Sequence, residues 1–281
     1  MKKKASVFEN KIAVVTGGAS GIGRALCEEL VRRGAAMVVV ADINEPRAAQ
    51  VAEQICASGG RACARRVDIS LAESVQVLVD GVVAEFGHLD AMFNNAGVTI
   101  CGEVRDMERS HWQRMLDVNL WGAIHGTMAA YQVMLKQGFG HIVNTASLDG
   151  LAPMPMSTPY TAAKHGVVGL STALRLEAAD LGVKVSVACP GAVRTEVFDK
   201  ATYVGVAAEA VKQEMFAEFK MLEPAESAAN LLDGVERNDA IILDAPHNRV
   251  LWWIHRLSPG LYGKLMGIGV GFVRKHRLAA A

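Results

Sequence analysis

A short apolar run, Ile12-Ala13-Val14-Val15, leads directly into Thr16-Gly17-Gly18-Ala19-Ser20-Gly21-Ile22-Gly23 and then into Arg24-Ala25-Leu26-Cys27-Glu28-Glu29-Leu30-Val31. The first piece is apolar throughout and rich in β-branched residues, so it reads as a strand buried on both faces. The last carries its apolar residues at helical spacing. A glycine-rich turn between such a strand and helix lets backbone N–H groups approach a pyrophosphate, where the helix N-terminus favours negative charge. A flexible loop without a ligand is the alternative, and the strand and helix on either side argue against it. Gly17, Ser20, Gly21, Ile22 and Gly23 are the candidate phosphate-facing residues.

The same alternation continues along the chain. Ala36–Ala41, Arg61–Val67, Leu89–Phe93, His141–Ala146, Lys184–Ala188 and Ala240–Leu243 read as further strands. Residues 46–58, 70–86, 110–137, 158–180 and 224–237 read as helices between and after them. Strand–helix alternation of this kind predicts an α/β Rossmann-like fold, a doubly wound parallel seven-stranded sheet with helices on both faces in three layers. The 281 residues, 51% of them hydrophobic, suffice for one large domain of this type. We expect residues 8–245 to form the dinucleotide-binding and catalytic domain. Residues 246–281 form a C-terminal extension of that same domain.

Ligands of such sheets bind beyond the carboxyl ends of the strands. Gly17, Asp42, Asn94, Ser147 and Pro190 all fall at predicted strand ends. Asp42 lies about 20 residues past the glycine turn, where a carboxylate accepts hydrogen bonds from an adenosine ribose and repels a 2′-phosphate. Ile43 rather than a cation follows it, and Ser20 rather than a cation precedes Gly21. These features favour NAD over NADP, with Arg24 and Arg47 the nearby opposing charges. A plain turn residue is the other reading of Asp42. The run Asn94-Asn95-Ala96-Gly97 reads equally well as a structural turn or as a ligand-facing one. Asn119, in the middle of a predicted buried helix, is either a satisfied core amide or is held there for function.

Tyr160 and Lys164 are one helical turn apart and share a face. A free phenol titrates near ~10. One cation about 5 Å away at an effective dielectric of ~20 supplies roughly 3 kcal/mol toward its ionised form. Alone, the spacing also describes many solvated helix faces.

Composition excludes several classes. Lys+Arg 29 against Asp+Glu 29 gives no global attraction to nucleic acid. The five cysteines contain no Cys-x-x-Cys and read as small buried residues of a reducing compartment. The histidines are scattered, so no metal is expected. Met1-Lys2-Lys3-Lys4 has no apolar segment behind it, and no apolar run of ~20 residues occurs, so a cytoplasmic setting is expected.

In combination these motifs resemble the short-chain dehydrogenase/reductase family over roughly residues 8–245. Thr16–Gly23 resembles its cofactor loop and Asn94-Asn95-Ala96-Gly97 its Asn-Asn-Ala-Gly turn. Asn119, Ser147, Tyr160 and Lys164 match its catalytic tetrad. Pro190-Gly191 and Thr195 match the segment on the nicotinamide side. The resemblance implies an NAD-dependent oxidoreductase interconverting a secondary alcohol and a ketone. Tyr160 would be the general acid/base, and Ser147 would position the substrate oxygen. Lys164 would lower the Tyr160 pKa and bind the nicotinamide ribose, and Asn119 would hold a water in a proton relay. Asp68 with Ile69 would contact the adenine, and Asn95, Ala96, Gly97 and Val193 would line the cofactor cleft. Asp149 is less typical of the family pattern and bears on the substrate.

Residues 196–222 read as a loose helical lid broken at Gly205, with Val197, Phe198, Tyr203, Met215, Phe216, Phe219 and Met221 pointing to an apolar cyclic, steroid-like or aryl-alkyl substrate. The chain past Asp244 is apolar, aromatic and basic. We expect it to pack on a sister subunit of a dimer or tetramer or to cover the substrate cleft; an interfacial membrane anchor within residues 251–277 is the lesser reading. The glycines of 267–271 argue against a continuous helix there. A second functional reading is a dinucleotide-sensing binding protein with little turnover, recruited to a partner or membrane by this tail.

Overall fold

The computed structural model describes residues 6–218 and 221–278. The side chains of Met215 and Phe216, the whole of Phe219, and Met1–Lys4 lie outside the described residues. In chain order the elements are β1 (Ile12–Thr16), α1 (Gly21–Arg32), β2 (Met37–Asp42), α2 (Glu45–Ala57), β3 (Ala62–Arg66), α3 (Ala72–Phe86), β4 (Ala91–Asn94) and β5 (Ile100–Gly102). They continue with α4 (Arg109–Leu116), a π-helical turn (Asp117–Trp121), α5 (Gly122–Gln137), β6 (Gly140–Thr145), α6 (Thr158–Glu177) and β7 (Val183–Ala188). The last are β8 (Thr202–Val204), α7 (Ala208–Glu218), α8 (Pro224–Glu236), β9 (Ile241–Ile242), α9 (Pro246–Leu257) and α10 (Pro259–Lys275).

All seven expected strands are present. They form one parallel sheet in the order β3-β2-β1-β4-β6-β7-β9. The chain winds outward from β1 to β3 and then crosses back to place β4 on the other side of β1. That reversal opens a crevice beyond the carboxyl ends of β1 and β4. The near-continuous apolar runs follow from burial of both faces. Ala13 and Val15 of β1, with Val38 and Val40 of β2, enter the core that also holds residues of α1, α2 and α8. Ile12 and Val14, with Val39 and Ala41, enter the opposite core, shared with α3 and α5. One period-2 strand feeds two hydrophobic layers.

The structure departs from the sequence expectations at three places. First, the long helix over 110–137 is interrupted by the π-helical turn at Asp117–Trp121. Second, residues 267–271 are helical within α10 despite their glycines. Each glycine costs about 1 kcal/mol relative to alanine, and tertiary contacts toward both ends of the helix offset that cost. The Tyr262 hydroxyl donates to the Pro153 carbonyl at 2.9 Å, and Arg274 pairs with Glu103 at 2.6 Å. Third, the lid region contains β8, which pairs in parallel with β5. Three-residue strands fell below what alternation in the sequence can signal.

Candidate active site

The glycine turn enters α1 with Ser20 at the N-cap, and the Ser20 side chain makes no capping hydrogen bond. The first-turn N–H groups of a helix have no acceptor inside the helix, and no acidic side chain stands in this first turn. The N-terminus of α1 is therefore an uncapped anion site, which fits a pyrophosphate. Its shape depends on close backbone approach. A Cβ on Gly23 would lie 2.1 Å from the Gly17 carbonyl oxygen and 2.6 Å from Asn95 Nδ2. Gly21 has a φ of +54°, and a Cβ there would stand 3.2 Å from Thr195 Cγ2, which faces it. A cleft of about 380 Å³ opens at this end, lined by residues including Ser20, Gly21, Arg24, Arg47, Thr195 and Glu196.

Beside the turn, the Asn95 and Ala96 N–H groups both donate to Thr16 Oγ1, at 3.0 and 3.1 Å, and Asn95 Nδ2 donates to the Thr16 carbonyl at 3.0 Å. The Asn94–Gly97 segment thus braces the glycine turn from the switch-point side. The Asn94 side chain points into the core instead, donating to Asn144 Oδ1 at 2.8 Å. Asn119 lies on the π-helical turn. The wider turn leaves the Met115 carbonyl to accept from Asn119 Nδ2 at 3.1 Å, and the same amide exchanges hydrogen bonds with the Val98 carbonyl and N–H at 3.0 and 3.2 Å. It is a satisfied buried amide that ties α4–α5 to the end of the Asn94–Gly97 turn. A Cβ on Gly97 would be 2.7 Å from Asn119 Oδ1 and 3.6 Å from Lys164 Nζ, so these groups crowd one spot.

Ser147 follows β6 and caps a 3-10 turn at Leu148–Gly150, its Oγ accepting from the Asp149 N–H at 3.1 Å. The Leu148 N–H donates to the Pro190 carbonyl at 2.8 Å, locking this turn to the end of β7. Helix α6 brings Tyr160 and Lys164 to the same place. Lys164 is buried, donates from Nζ to the Thr145 carbonyl at 2.8 Å, and lies 5.5 Å from the centre of the Tyr160 ring. Burial pulls the Lys164 ammonium down to about 8. Burial also pushes the Tyr160 phenol upward, with the Asp149 carboxylate adding to the rise and a hydrogen bond with Ser147 opposing it. The sequence argument, which had only the lysine, expected the opposite direction; desolvation of the phenolate is the largest influence here. Asp149, which accepts from Ser157 Oγ at 3.1 Å, is pushed up to about 6 by the same burial.

On the far side of the crevice, Pro190-Gly191 is held by residues that the sequence did not flag. The Gly191 N–H donates to Asp244 Oδ1 at 3.0 Å, Asn248 Nδ2 donates to the same oxygen at 2.8 Å, and Ser227 Oγ donates to Oδ2 at 2.7 Å. Asp244 is buried at the start of the tail and fixes three elements to the strand end. Only the tertiary contact of 191 with 244 reveals it. Val193 packs with Leu222 and Ile22.

Asp42 ends β2. Its Oδ2 accepts from the Ala19 N–H at 3.1 Å and its Oδ1 from the Asn44 N–H at 2.9 Å. Both nearby cations are engaged elsewhere. Arg47 makes a bidentate pair with Glu196 at 2.7 and 2.8 Å, and Arg24 pairs with Glu28 at 2.8 Å. Asp68 turns its carboxylate back onto Ser70, at 2.6 Å to the hydroxyl and 3.0 Å to the N–H. The Ile69 side chain packs into the core, where a Cβ on Gly122 would sit 2.5 Å from its Cδ1.

The tail packs against the turn that follows β6. Tyr262 and Met266 of α10, with Leu251 and Ile254 of α9, pack against Leu148 and Ala152 just beyond Ser147. The far end of α10 is stitched to the lid: Val273 packs with Met156, Val206 and Val211, and the Leu278 N–H donates to the Gly205 carbonyl at 3.0 Å.

The sequence profile described as short chain dehydrogenase matches residues 11–203. A Mycobacterium tuberculosis protein named as an oxidoreductase, SadH, is 34% identical over 272 residues, covering 94% of this chain and 97% of the relative. A cyclohexanol dehydrogenase of Acinetobacter is 40% identical over 191 residues, 67% of this chain and 75% of the relative. The crystal structure of a short-chain dehydrogenase/reductase from Burkholderia phymatum in complex with NAD superposes with a TM-score of 0.83 at 29% identity, covering 90% of this chain and 95% of that one. With an uncapped helix N-terminus, a switch-point crevice and the Ser147, Tyr160 and Lys164 side chains converging there, the chain belongs to the short-chain dehydrogenase/reductase family of nicotinamide-dependent oxidoreductases.

Proposed function

We propose that this protein is an NAD-dependent oxidoreductase that interconverts a secondary alcohol and a ketone on an apolar substrate. The observation that carries the reading is the convergence of Ser147, Tyr160 and Lys164 at the strand ends beside the uncapped N-terminus of α1. The nicotinamide, when bound, supplies the hydride chemistry.

The protein's own residues supply positioning and the proton. Gly21, Ile22 and Gly23, at the uncapped N-terminus of α1, would hold the cofactor's pyrophosphate. Asp42 would accept from the adenosine ribose and repel a 2′-phosphate, and Arg47 and Arg24 are each paired with a glutamate instead of being directed at that corner. Asp68, Ile69, Asn95, Ala96, Gly97, Pro190, Gly191, Val193 and Thr195 complete the cofactor cleft. Ser147 donates to the substrate oxygen and orients it. Tyr160 gives its proton to that oxygen in reduction and takes it in oxidation. Lys164 places a positive charge behind Tyr160 and reaches the nicotinamide ribose, and Asn119 fixes the turn over Lys164 and holds the relay water.

The apolar cluster of Leu148, Ala152, Leu251, Ile254 and Met266 beside Ser147 is compatible with an apolar substrate, and the similarity to a cyclohexanol dehydrogenase points to a cyclic alcohol or ketone. The test is NADH turnover on a panel of cyclic and aryl-alkyl secondary alcohols and their ketones, with wild type and Tyr160→Phe. Turnover by wild type that falls about 10³-fold in the variant supports the reading. Equal turnover by both removes Tyr160 from the chemistry.

A further inference from the structure

Helices α9 and α10 form a hairpin whose inner side packs on Leu148 and Ala152 beside Ser147 and whose outer side, among the described residues, carries exposed side chains. Val250, Trp253 and Leu257 recur at helical spacing on α9, and Leu261, Leu265 and Ile268 do so on α10; all six are exposed, Leu257 at 76% and Ile268 at 62%. Large apolar side chains grouped in this way mark an interaction surface.

The charge on this hairpin selects the partner. No Asp or Glu occurs after Asp244. Arg249, Arg256 and Lys264 are exposed on the same two helices, while Arg274 and Arg277, nearer the end of the tail, are already engaged by Glu103 and Asp106. A twofold pairing of two copies through this face would bring cation against cation with no carboxylate on the hairpin to offset them. An anionic phospholipid surface offers apolar depth for the leucines and tryptophan and negative headgroups for the flanking cations. No helix among the described residues is long and apolar enough to cross a membrane, so the fit is to a hairpin lying in the interface.

We propose that the α9–α10 hairpin docks this protein on the surface of an anionic phospholipid membrane, with Val250, Trp253, Leu257, Leu261, Leu265 and Ile268 in the headgroup–acyl boundary and Arg249, Arg256 and Lys264 at headgroup level. Because the other side of α10 packs beside Ser147, docking would bring that end of the crevice near the lipid and give a bilayer-dissolved alcohol or ketone a short path to the site. That last consequence rests on the function proposed above; the docking does not.

The experiment is sedimentation of the full-length protein with vesicles of phosphatidylcholine containing phosphatidylglycerol and with vesicles of phosphatidylcholine alone, at low and high salt. It needs no substrate, so its failure is separable from failure of the enzymatic reading. The expected result is binding to the anionic vesicles that weakens with salt and drops at least about ten-fold in Trp253→Ser/Leu257→Ser. Trp253 and Leu257 face outward, so this variant should keep the wild-type urea transition. Arg256→Gln/Lys264→Gln, which leaves the apolar face intact, should lose binding to anionic vesicles selectively. Equal binding to both vesicle types overturns the charge argument. No vesicle binding, together with a dimer in sedimentation equilibrium that Trp253→Ser/Leu257→Ser dissociates, overturns the proposal in favour of a second copy.

Discussion

Replacing Lys164 with methionine should make the protein more stable and nearly inactive at once. Lys164 is 3% exposed, and burial lowers its ammonium from 10.5 to about 8. Below pH 8 the amine is protonated in both folded and unfolded chains, and the folded state carries the desolvation cost. That lowering corresponds to about 3 kcal/mol. Methionine fills a similar volume without the charge. It gives up the hydrogen bond to the Thr145 carbonyl, a loss of about 1 kcal/mol. The net expectation is a gain of about 2 kcal/mol at pH 7, read as a higher urea midpoint at unchanged slope.

The pH dependence carries the sharper test. Between pH 8 and 10.5 the folded lysine is neutral while the unfolded one still holds its proton. The unfolded state binds more protons, so wild-type stability attributable to this group rises with pH across that window. The advantage of Lys164→Met should therefore shrink by about 3 kcal/mol from pH 7 to pH 10.5 and reverse at the top of that range. Urea titrations of both proteins at pH 7, 8.5 and 10 measure the gap. A gap that stays flat with pH, or a variant less stable at every pH, would refute the argument that Lys164 is a strained buried cation. Loss of turnover in the same variant, expected at about 10²-fold or more from removal of the cation beside Tyr160, separates function from stability.

Asp42→Ala should raise the kcat/KM with NADP relative to NAD by about ten-fold or more, because the carboxylate that faces a 2′-phosphate is gone; an unchanged ratio places discrimination elsewhere. Asp244→Ala should lower stability by about 3–5 kcal/mol in urea, because it strips the acceptor from the Gly191 N–H, Ser227 and Asn248 in a buried site. Gly23→Ala should abolish measurable NADH binding by fluorescence titration, since its Cβ would meet the Gly17 carbonyl at 2.1 Å and reshape the turn. Asp149→Asn should move the ascending limb of the pH profile of alcohol oxidation to lower pH, because it removes a carboxylate that raises the Tyr160 phenol; a limb that does not move would mean that Asp149 does not act on Tyr160.

The seven strands of the main sheet, their order of appearance and the crevice at their carboxyl ends were legible in the sequence, while the three-residue β5 and β8 were not. Both-face burial writes β-branched runs such as Ile12–Val15 and Met37–Ala41 directly into the residues, and Gly17, Asp42, Asn94, Ser147 and Pro190 punctuate their ends. Local chemistry was equally legible at the Tyr160–Lys164 spacing, because one helical turn is a fixed distance. What depended on neighbours distant in sequence was not. The direction of the Tyr160 pKa shift was set by desolvation and by Asp149, both properties of an enclosed site. The role of Asp244 required 191, 227 and 248 to meet, and the π-helical turn that lets Asn119 reach Val98 left no periodic mark. Glycines 267–271 argued locally against a helix, and packing near the two ends of α10 overruled them. The sequence alone determined the alternation and the reacting groups; tertiary structure decided their environment, because dielectric and steric closure arise only when the chain folds around them.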